Sequence, residues 1–240
     1  TFNGANAGTD SMGVSNLNFT TYNSQYTVGT NGQVGKFISL DAQSNLIDGG
    51  PLPLSNAVSV EFLFKPGYMF NTTNMIKRGD GAFAIRMEYP KISFYTTVKT
   101  SSGSMIEDEF IINLDGIGRK TFGYYVDGNW HHMAFVYNAT TGVKQVYVDG
   151  QLPTGFSKTV ANTGTINSTG NTNFYLNHTV NYVKYFGSID ELAVYNTAIP
   201  ANFVYKHYLG TQNGQPYSFI NNYNNPLPTA APITGPVDPM

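Results

Sequence analysis

The chain has 240 residues and a net charge of −2; 12% of its residues are charged and 14% are aromatic. Soluble proteins on average carry roughly 25% charged residues. The 13 basic residues are scattered, so the sequence has no basic patch for nucleic acid or an anionic membrane surface. There is no cysteine, which excludes disulfides and thiolate metal sites, and no apolar run near the roughly 20 residues of a membrane-spanning helix. The composition predicts a domain with a sizeable core, no nucleic-acid partner and no membrane insertion.

Short alternating segments dominate the chain. Residues 1–35 are rich in Gly, Asn, Ser and Thr and predict an N-terminal arm with one or two edge strands. From Val58 to Phe64 every second residue is apolar, as a half-buried strand requires. Similar segments separated by turn residues lie at 36–40, 82–87, 91–98, 109–113, 130–137, 143–148, 174–176, 183–186 and 189–195. About a dozen short strands at this spacing predict an all-β fold, a two-sheet antiparallel β-sandwich of the jelly-roll type.

One short C-terminal helix is predicted after Thr197. Pro200 suits a first-turn position, Gly210 is a candidate end, and the apolar face recurs at helical spacing through Ile199, Phe203, Val204 and His207. Five of the 12 prolines fall in the last 15 residues, which favours extended polyproline conformation. The jelly-roll domain is therefore predicted to span 36–217, with an Asn/Pro-rich linker or docking tail at 218–240.

Three motifs resemble the concanavalin A-like, laminin-G-like jelly-roll superfamily, specifically its bacterial-type laminin-G-like modules. Residues 128–137, GNWHHMAFVY, are similar to the family's G-x-W-H-H-V-A pattern, and residues 146–150, VYVDG, to its Y-V-D-G hairpin end. Residues 186–199, FGSIDELAVYNTAI, are similar to its closing strand, F-x-G-x-I-D-E-V-x-I-Y-N-R-A-L. The order and spacing also agree, over roughly 37–208. The resemblance implies two stacked antiparallel sheets and a glycan- or protein-binding role outside the cell; the long arm and the Pro-rich tail depart from the pattern.

Glycanases also occur in this superfamily, so the carboxylates need separate consideration. A glycanase needs two carboxyl groups about 5 to 10 Å apart, and those with this fold carry E-x-D-x-x-E on one strand, which is absent here. Glu107 and Glu109 would share a face if they lay on a strand, but we favour a solvated acidic loop. No histidine has zinc-ligand spacing, and His131 and His132 are expected to pack and form hydrogen bonds on opposite faces of one strand. We therefore expect no catalytic site.

The supply of tyrosine suits a glycan-binding site. A sugar ring can stack on a tyrosine while nearby amides and carboxylates bond its hydroxyl groups. For each tyrosine, packing in the core is the alternative. The candidate ligand-binding residues near predicted turns are Tyr124, Tyr125, Asp127, Asn181, Tyr182 and Tyr185.

Asp190 is a candidate metal ligand. It lies in an otherwise apolar closing strand, where a carboxylate is costly unless it is paired, hydrogen-bonded or bound to a metal. The family resemblance implies a structural calcium ion at this place, and Asp10 is a conceivable second ligand. The alternative is that Asp190 accepts backbone N–H bonds and seals the N-terminal arm without an ion.

These features predict a non-catalytic, extracellular or cell-surface module that binds glycan or a neighbouring surface protein. The alternative is a structural building block of a surface appendage or capsid-like assembly. In that case the arm and the tail would tie neighbouring copies together by strand addition. Both roles are compatible with a place in a larger chain or a repeating assembly.

Overall fold

The computed structural model describes residues 26–40, 47–54, 56–67, 73–88, 91–113, 127–167, 172–178 and 187–217. Within these ranges the chain forms mostly strands and one helix, α1, at Ala201–Gln212. The strands are β1 Tyr26–Gly32, β2 Gly35–Leu40, β3 Ile47–Pro51, β4 Ala57–Pro66, β5 Thr73–Arg78, β6 Phe83–Glu88, β7 Lys91–Lys99, β8 Met105–Asn113, β9 His131–Asn138, β10 Val143–Val148, β11 Ser157–Thr159, β12 Thr165–Ile166, β13 Asn173–His178 and β14 Gly187–Tyr195. The segment predicted as a strand at 183–186 lies outside the described residues.

The strands form two antiparallel sheets, which confirms the predicted fold class. Sheet A has the order β1-β2-β14-β4-β9-β10-β11, and sheet B has the order β12-β7-β6-β5-β13-β3, with β8 also paired to β7. Strand β14, near the C-terminal end, lies between β2 and β4. Sheet A is therefore complete only when the two ends of the domain have come together.

The core lies between the sheets and is rich in aromatic rings. Alternate side chains of β4 point into it, as the sequence pattern predicts, and Phe62 and Phe64 are fully buried. Phe135 of β9 stacks on Phe62 at 5.9 Å between ring centroids and meets Phe94 of β7 edge-on at 5.6 Å. Each buried side chain of this size contributes about 1.5 to 3 kcal/mol relative to an exposed one, so these rings join sheet A to sheet B.

Helix α1 packs on the outer face of sheet A, and its predicted apolar face is buried, at Ile199, Phe203, Val204 and His207. The expectation that Pro200 lies in the first turn is wrong by one residue, because Pro200 is the N-cap, with φ −75° and ψ 155°.

None of the described residues forms a helix long and apolar enough to cross a membrane.

The predicted helix end at Gly210 is also wrong. The helix continues to Gln212, and the backbone turns at Gly214, which has a φ of +70°. The N–H groups of Gly214 and Gln215 donate to the carbonyl groups of Thr211 and Gly210, at 3.0 and 2.9 Å. This is the Schellman arrangement, in which glycine supplies the left-handed residue just beyond the helix.

The acidic segment at 107–109 is a strand, so the expectation of a solvated acidic loop is wrong. It lies within β8, nine residues that pair with β7 along their whole length. Glu107 and Glu109 share the outer face, while Asp108 points inward and bonds to Lys144 and Lys158 of sheet A. The inward ion pairs fix a conformation that local composition did not reveal.

Apart from 26–35, the predicted arm and tail lie outside the described residues, and their boundaries stay predictions.

Candidate functional site

A row of five side chains crosses the outer face of sheet B. Backbone pairing places Tyr175 of β13 opposite Lys77 of β5, Lys77 opposite Ala84 of β6, Ala84 opposite Tyr95 of β7, and Tyr95 opposite Glu109 of β8. We call these five residues the transverse row. Neighbouring strands are about 4.8 Å apart, so the row extends across roughly 19 Å. All but Ala84 are partly exposed.

Arg86 is fixed against the row beside Tyr95. Its guanidinium carbon lies 4.4 Å from the centroid of the Tyr95 ring, and its Nη1 donates to Tyr95 Oη at 2.8 Å. Its Nε points to Asn74 Oδ1 at 3.4 Å. Burial and a hydrogen bond to Glu109 raise the pKa of Tyr95 to about 12, although the charge of Arg86 opposes the shift. Tyr95 is therefore a neutral phenol that carries a flat, immobilised guanidinium.

Small side chains separate the larger ones on this face. Ala84 lies between Lys77 and Tyr95 in the row, and Ser93 is paired with Arg86. On this face tyrosine rings, two cations and the Glu109 carboxylate lie around small residues. Ligand sites commonly combine such apolar surface with a few fixed polar groups, so we take the transverse row with Arg86 as the candidate binding surface.

Of the six ligand-binding residues predicted from sequence, Asp127 is the one that lies within the described residues. Tyr124, Tyr125, Asn181, Tyr182 and Tyr185 lie outside the described residues, and their role stays a prediction. Asp127 is exposed in the loop before β9, where its carboxylate accepts the backbone N–H and the side-chain amide of Asn129, both at 2.7 Å. It belongs to a second polar group, around His131.

His131 lies between two carboxylates. Its Nδ1 is 3.2 Å from Asp149 Oδ2, and its Nε2 is 3.3 Å from Asp127 Oδ1. A neutral imidazole donates from only one nitrogen, so this geometry favours the imidazolium. Burial lowers the pKa of His131, but the hydrogen bonds and charges of Asp149 and Asp127 outweigh it and raise the pKa above its usual 6.5. The packing and hydrogen-bonding role expected for His131 is the one that the structure shows.

This arrangement predicts a pH-dependent contribution to stability. The folded state holds the proton of His131 more tightly than the unfolded state, so the stabilisation is complete below pH 6.5 and is lost as the pH rises through the folded pKa. The free energy of unfolding of wild type should exceed that of His131→Gln most at about pH 5.5 and least at about pH 8.5. Denaturant titrations at both pH values measure this. An unchanged difference, or an NMR titration midpoint of His131 below 6.5, would contradict it.

A buried carboxylate joins sheet A to helix α1. Glu61 of β4 is fully buried, and its Oε1 accepts bonds from Tyr195 Oη at 2.5 Å and His207 Nδ1 at 2.6 Å. His132 Nε2 lies 3.4 Å from Glu61 Oε2. Burial raises the pKa of Glu61, but the charges and hydrogen bonds of His207 and His132 outweigh it and hold the pKa at about 2. The cluster is inaccessible to a ligand, so we assign it a structural role.

Removing the charge of Glu61 should therefore destabilise the domain. Breaking one side of a buried ion pair costs about 3 kcal/mol or more, because the partner is left desolvated. We expect Glu61→Gln to lower the free energy of unfolding by about 3 kcal/mol. The matched control is Glu107→Gln, at an exposed position of β8, which should unfold like wild type. Equal unfolding of both variants would show that the buried cluster contributes nothing.

Asp190 and Glu191 hold two distant segments against β14. Asp190 is fully buried; its Oδ2 accepts the N–H of Val34 at 2.9 Å and its Oδ1 accepts that of Glu191 at 2.8 Å. Glu191 Oε2 accepts the N–H of Tyr217 at 3.0 Å. Burial raises the pKa of Asp190 to about 6, although these N–H groups oppose the shift. Asp190 thus accepts one backbone N–H group from the β1–β2 hairpin and one from β14 itself.

The predicted calcium site finds no support among these contacts. Both oxygens of Asp190 are bonded to N–H groups, and the described residues contain no group of three or more His, Asp or Glu side chains arranged to hold a metal ion. Asp10 lies outside the described residues. A calcium ion that involves Asp190 and Asp10 stays a prediction.

We expect Asp190→Ala to lower the free energy of unfolding by about 1 to 3 kcal/mol, because two N–H groups lose their buried acceptor. Thermal or urea unfolding measures the loss, and an unchanged stability would contradict the role of Asp190. Melting wild type in calcium and in chelator tests the ion separately. Equal melting temperatures would show that no calcium ion stabilises the fold and would not bear on the hydrogen bonds of Asp190.

Comparison with known protein families identifies the superfamily of the chain. Residues 40–204 match the family model of the concanavalin A-like lectin/glucanases superfamily. The chain therefore belongs to this superfamily, and the resemblance seen in the sequence is confirmed. No curated protein matches the chain in sequence.

Solved structures with a similar fold include binding domains. Domain 4 of AbnA, an extracellular arabinanase from Geobacillus stearothermophilus solved with arabinotriose, is 23% identical with a TM-score of 0.56; the match covers 82% of this chain and 90% of that one. The binding domain of Paraclostridial Mosquitocidal Protein 1 is 14% identical, with a TM-score of 0.61 over 85% of this chain. The botulinum neurotoxin serotype G binding domain is 14% identical, with a TM-score of 0.57 over 78%. The chain spans 51% and 45% of these two toxin domains, about half their length.

Proposed function

We propose that the protein is a non-catalytic, extracellular glycan-binding module and that the transverse row with Arg86 is its binding surface. The observation that carries the proposal is the arrangement around Tyr95, where an aromatic ring, a fixed guanidinium and the Glu109 carboxylate lie together on a rigid sheet. Sugars are bound by such combinations of ring surface and fixed hydrogen-bonding groups. The similarity to a domain solved with arabinotriose supports the choice of ligand class.

The carboxylates support a non-catalytic role. Glu61, Asp190 and Glu191 are fully buried and bonded within the fold. Glu107 and Glu109 share the outer face of β8, about 7 Å apart along the strand. Glu107 is exposed, and Glu109 bonds to Tyr95. A glycosidase acid is typically set in an apolar pocket that keeps it protonated, and neither side chain has that environment.

A receptor protein is the other partner class to consider, since two of the similar structures are toxin binding domains. The alternative function, a structural building block joined through the arm and the tail, depends on residues outside the described part of the chain. No contact among the described residues favours it. Glycan binding is therefore the function to test first.

A glycan array followed by calorimetry tests the proposal. Truncating Tyr95 or Tyr175 to Ala should weaken binding at least tenfold, about 1.4 kcal/mol, because each removes a ring from the surface. Tyr205→Ala is the matched control. Tyr205 is 39% exposed and lies on α1, which packs on sheet A, away from the proposed surface on sheet B. Melting temperatures show whether each variant folds. Wild type that binds no glycan, or folded Tyr95 and Tyr175 variants that bind like the control, would contradict the proposal.

A further inference from the structure

We propose that the binding surface recognises a carboxylate-bearing glycan and that Arg86 and Lys77 bind the carboxylate. The inference rests on the glycan-binding function proposed above and specifies the class of ligand. It follows from two cations that lie side by side on a sheet face with no carboxylate partner among the described residues.

Arg86 presents several donors in a fixed orientation. A guanidinium has five N–H donors, and the contacts of Arg86 with described residues use one for Tyr95 Oη and one for Asn74 Oδ1. Among the described residues the other three have no hydrogen-bond partner, so a ligand can accept from them. The Tyr95 ring beneath the guanidinium and Asn74, which is only 3% exposed, hold the planar group in place. A planar carboxylate accepts two parallel bonds from such a group, and a group already immobilised loses less entropy on binding.

Lys77 adds a second positive charge next to Arg86. It is paired with Ala84, which lies two residues before Arg86 on the same face of β6. Diagonal neighbours of this kind have Cβ atoms roughly 7 Å apart, so both side chains can reach one carboxylate. Neither cation takes part in an ion pair within the described residues. Charged residues make up only 12% of the chain, which makes two adjacent unpaired cations a notable feature of this face.

The surrounding charges favour a singly charged sugar unit over a dense polyanion. Glu109 ends the transverse row beside Tyr95, and Glu107 lies two residues before it on the same face of β8. A heavily sulfated chain that ran along the row would meet these two carboxylates, and like charges facing each other oppose binding. A uronic or sialic acid places one carboxylate at Lys77 and Arg86 and leaves a neutral unit for the ring of Tyr175, which is paired with Lys77. On the other side of Lys77 the Tyr95 ring supports the guanidinium of Arg86.

Calorimetry with matched acidic and neutral oligosaccharides tests the inference. The pairs are trigalacturonate and its methyl ester, trimannuronate and its methyl ester, and sialyllactose and lactose. Wild type should bind at least one acidic member ten or more times more tightly than its neutral partner, and less tightly as salt is raised. Arg86→Gln and Lys77→Gln should each remove most of that preference. Arg86→Lys should restore only part of it, because the ammonium keeps the charge and loses the fork.

Lys65→Gln is the matched control and should bind like wild type, since Lys65 is an exposed lysine on β4 of sheet A. Melting temperatures identify any variant that fails to fold. If Arg86→Gln unfolds, Lys77→Gln still decides the test, because it removes no described hydrogen bond. Equal binding of every acidic and neutral pair, or an unchanged preference in folded variants, would overturn carboxylate recognition while leaving the glycan-binding function standing. Failure of wild type on the whole glycan array would instead overturn the proposed function. Tighter binding of a polyglutamate peptide than of any acidic sugar, lost in the same variants, would replace the glycan with an acidic peptide.

Discussion

The step from Asp190 to Glu191 in β14 is the constraint on which the sandwich depends. Two consecutive buried carboxylates interrupt the pairing of β14 with β4, and Glu191 takes a φ of +48°, a conformation that costs a non-glycine residue on the order of 1 to 3 kcal/mol. The irregularity lets both side chains turn to backbone N–H groups, one at Val34 and one at Tyr217. The strained residue is thus stabilised by joining the two ends of the domain.

This closure also fixes what packs on the outer face of sheet A. The segment beyond β14 continues into α1, which packs on that face against β9 and β10, and the Glu61 cluster fixes it there. On the other side Lys144 of β10 donates to Asp108 of β8 at 2.7 Å, and burial lowers the pKa of Lys144 to about 8 although Asp108 opposes the shift. That link holds β8 on the sandwich, and with it Glu109 beside Tyr95. The candidate binding surface on sheet B is therefore positioned by contacts that run through the core.

Alternation and family motifs predicted the strands of the core, the buried face of α1 and the place of Asp190 in the closing strand, because each depends on neighbouring residues. The transverse row could not be predicted, since Tyr95 and Tyr175 are 80 residues apart and share one sheet face only through the order of β13, β5, β6 and β7. The same limit applies to the acidic segment at 107–109. It resembled a loop because Lys144, the partner of Asp108, lies far away in the sequence. Tyrosines near turns were the more visible candidates, whereas Tyr95 lies within an alternating strand that local pattern assigns to packing.

A surface built on strands differs from one built on loops in what it can select. The backbone positions of Tyr175, Lys77, Tyr95 and Glu109 are set by strand register, so a ligand that binds there orders side chains but little backbone. The surface is also asymmetric: Lys77 lies beside Tyr175, Arg86 packs on Tyr95, and Glu109 closes the end beside Tyr95. A glycan with one acidic unit then has a preferred direction along the row, because the reversed chain would bring its carboxylate to Glu109. Under the inference from Arg86 and Lys77, charge placement along a fixed sheet selects the orientation of the glycan as well as its class.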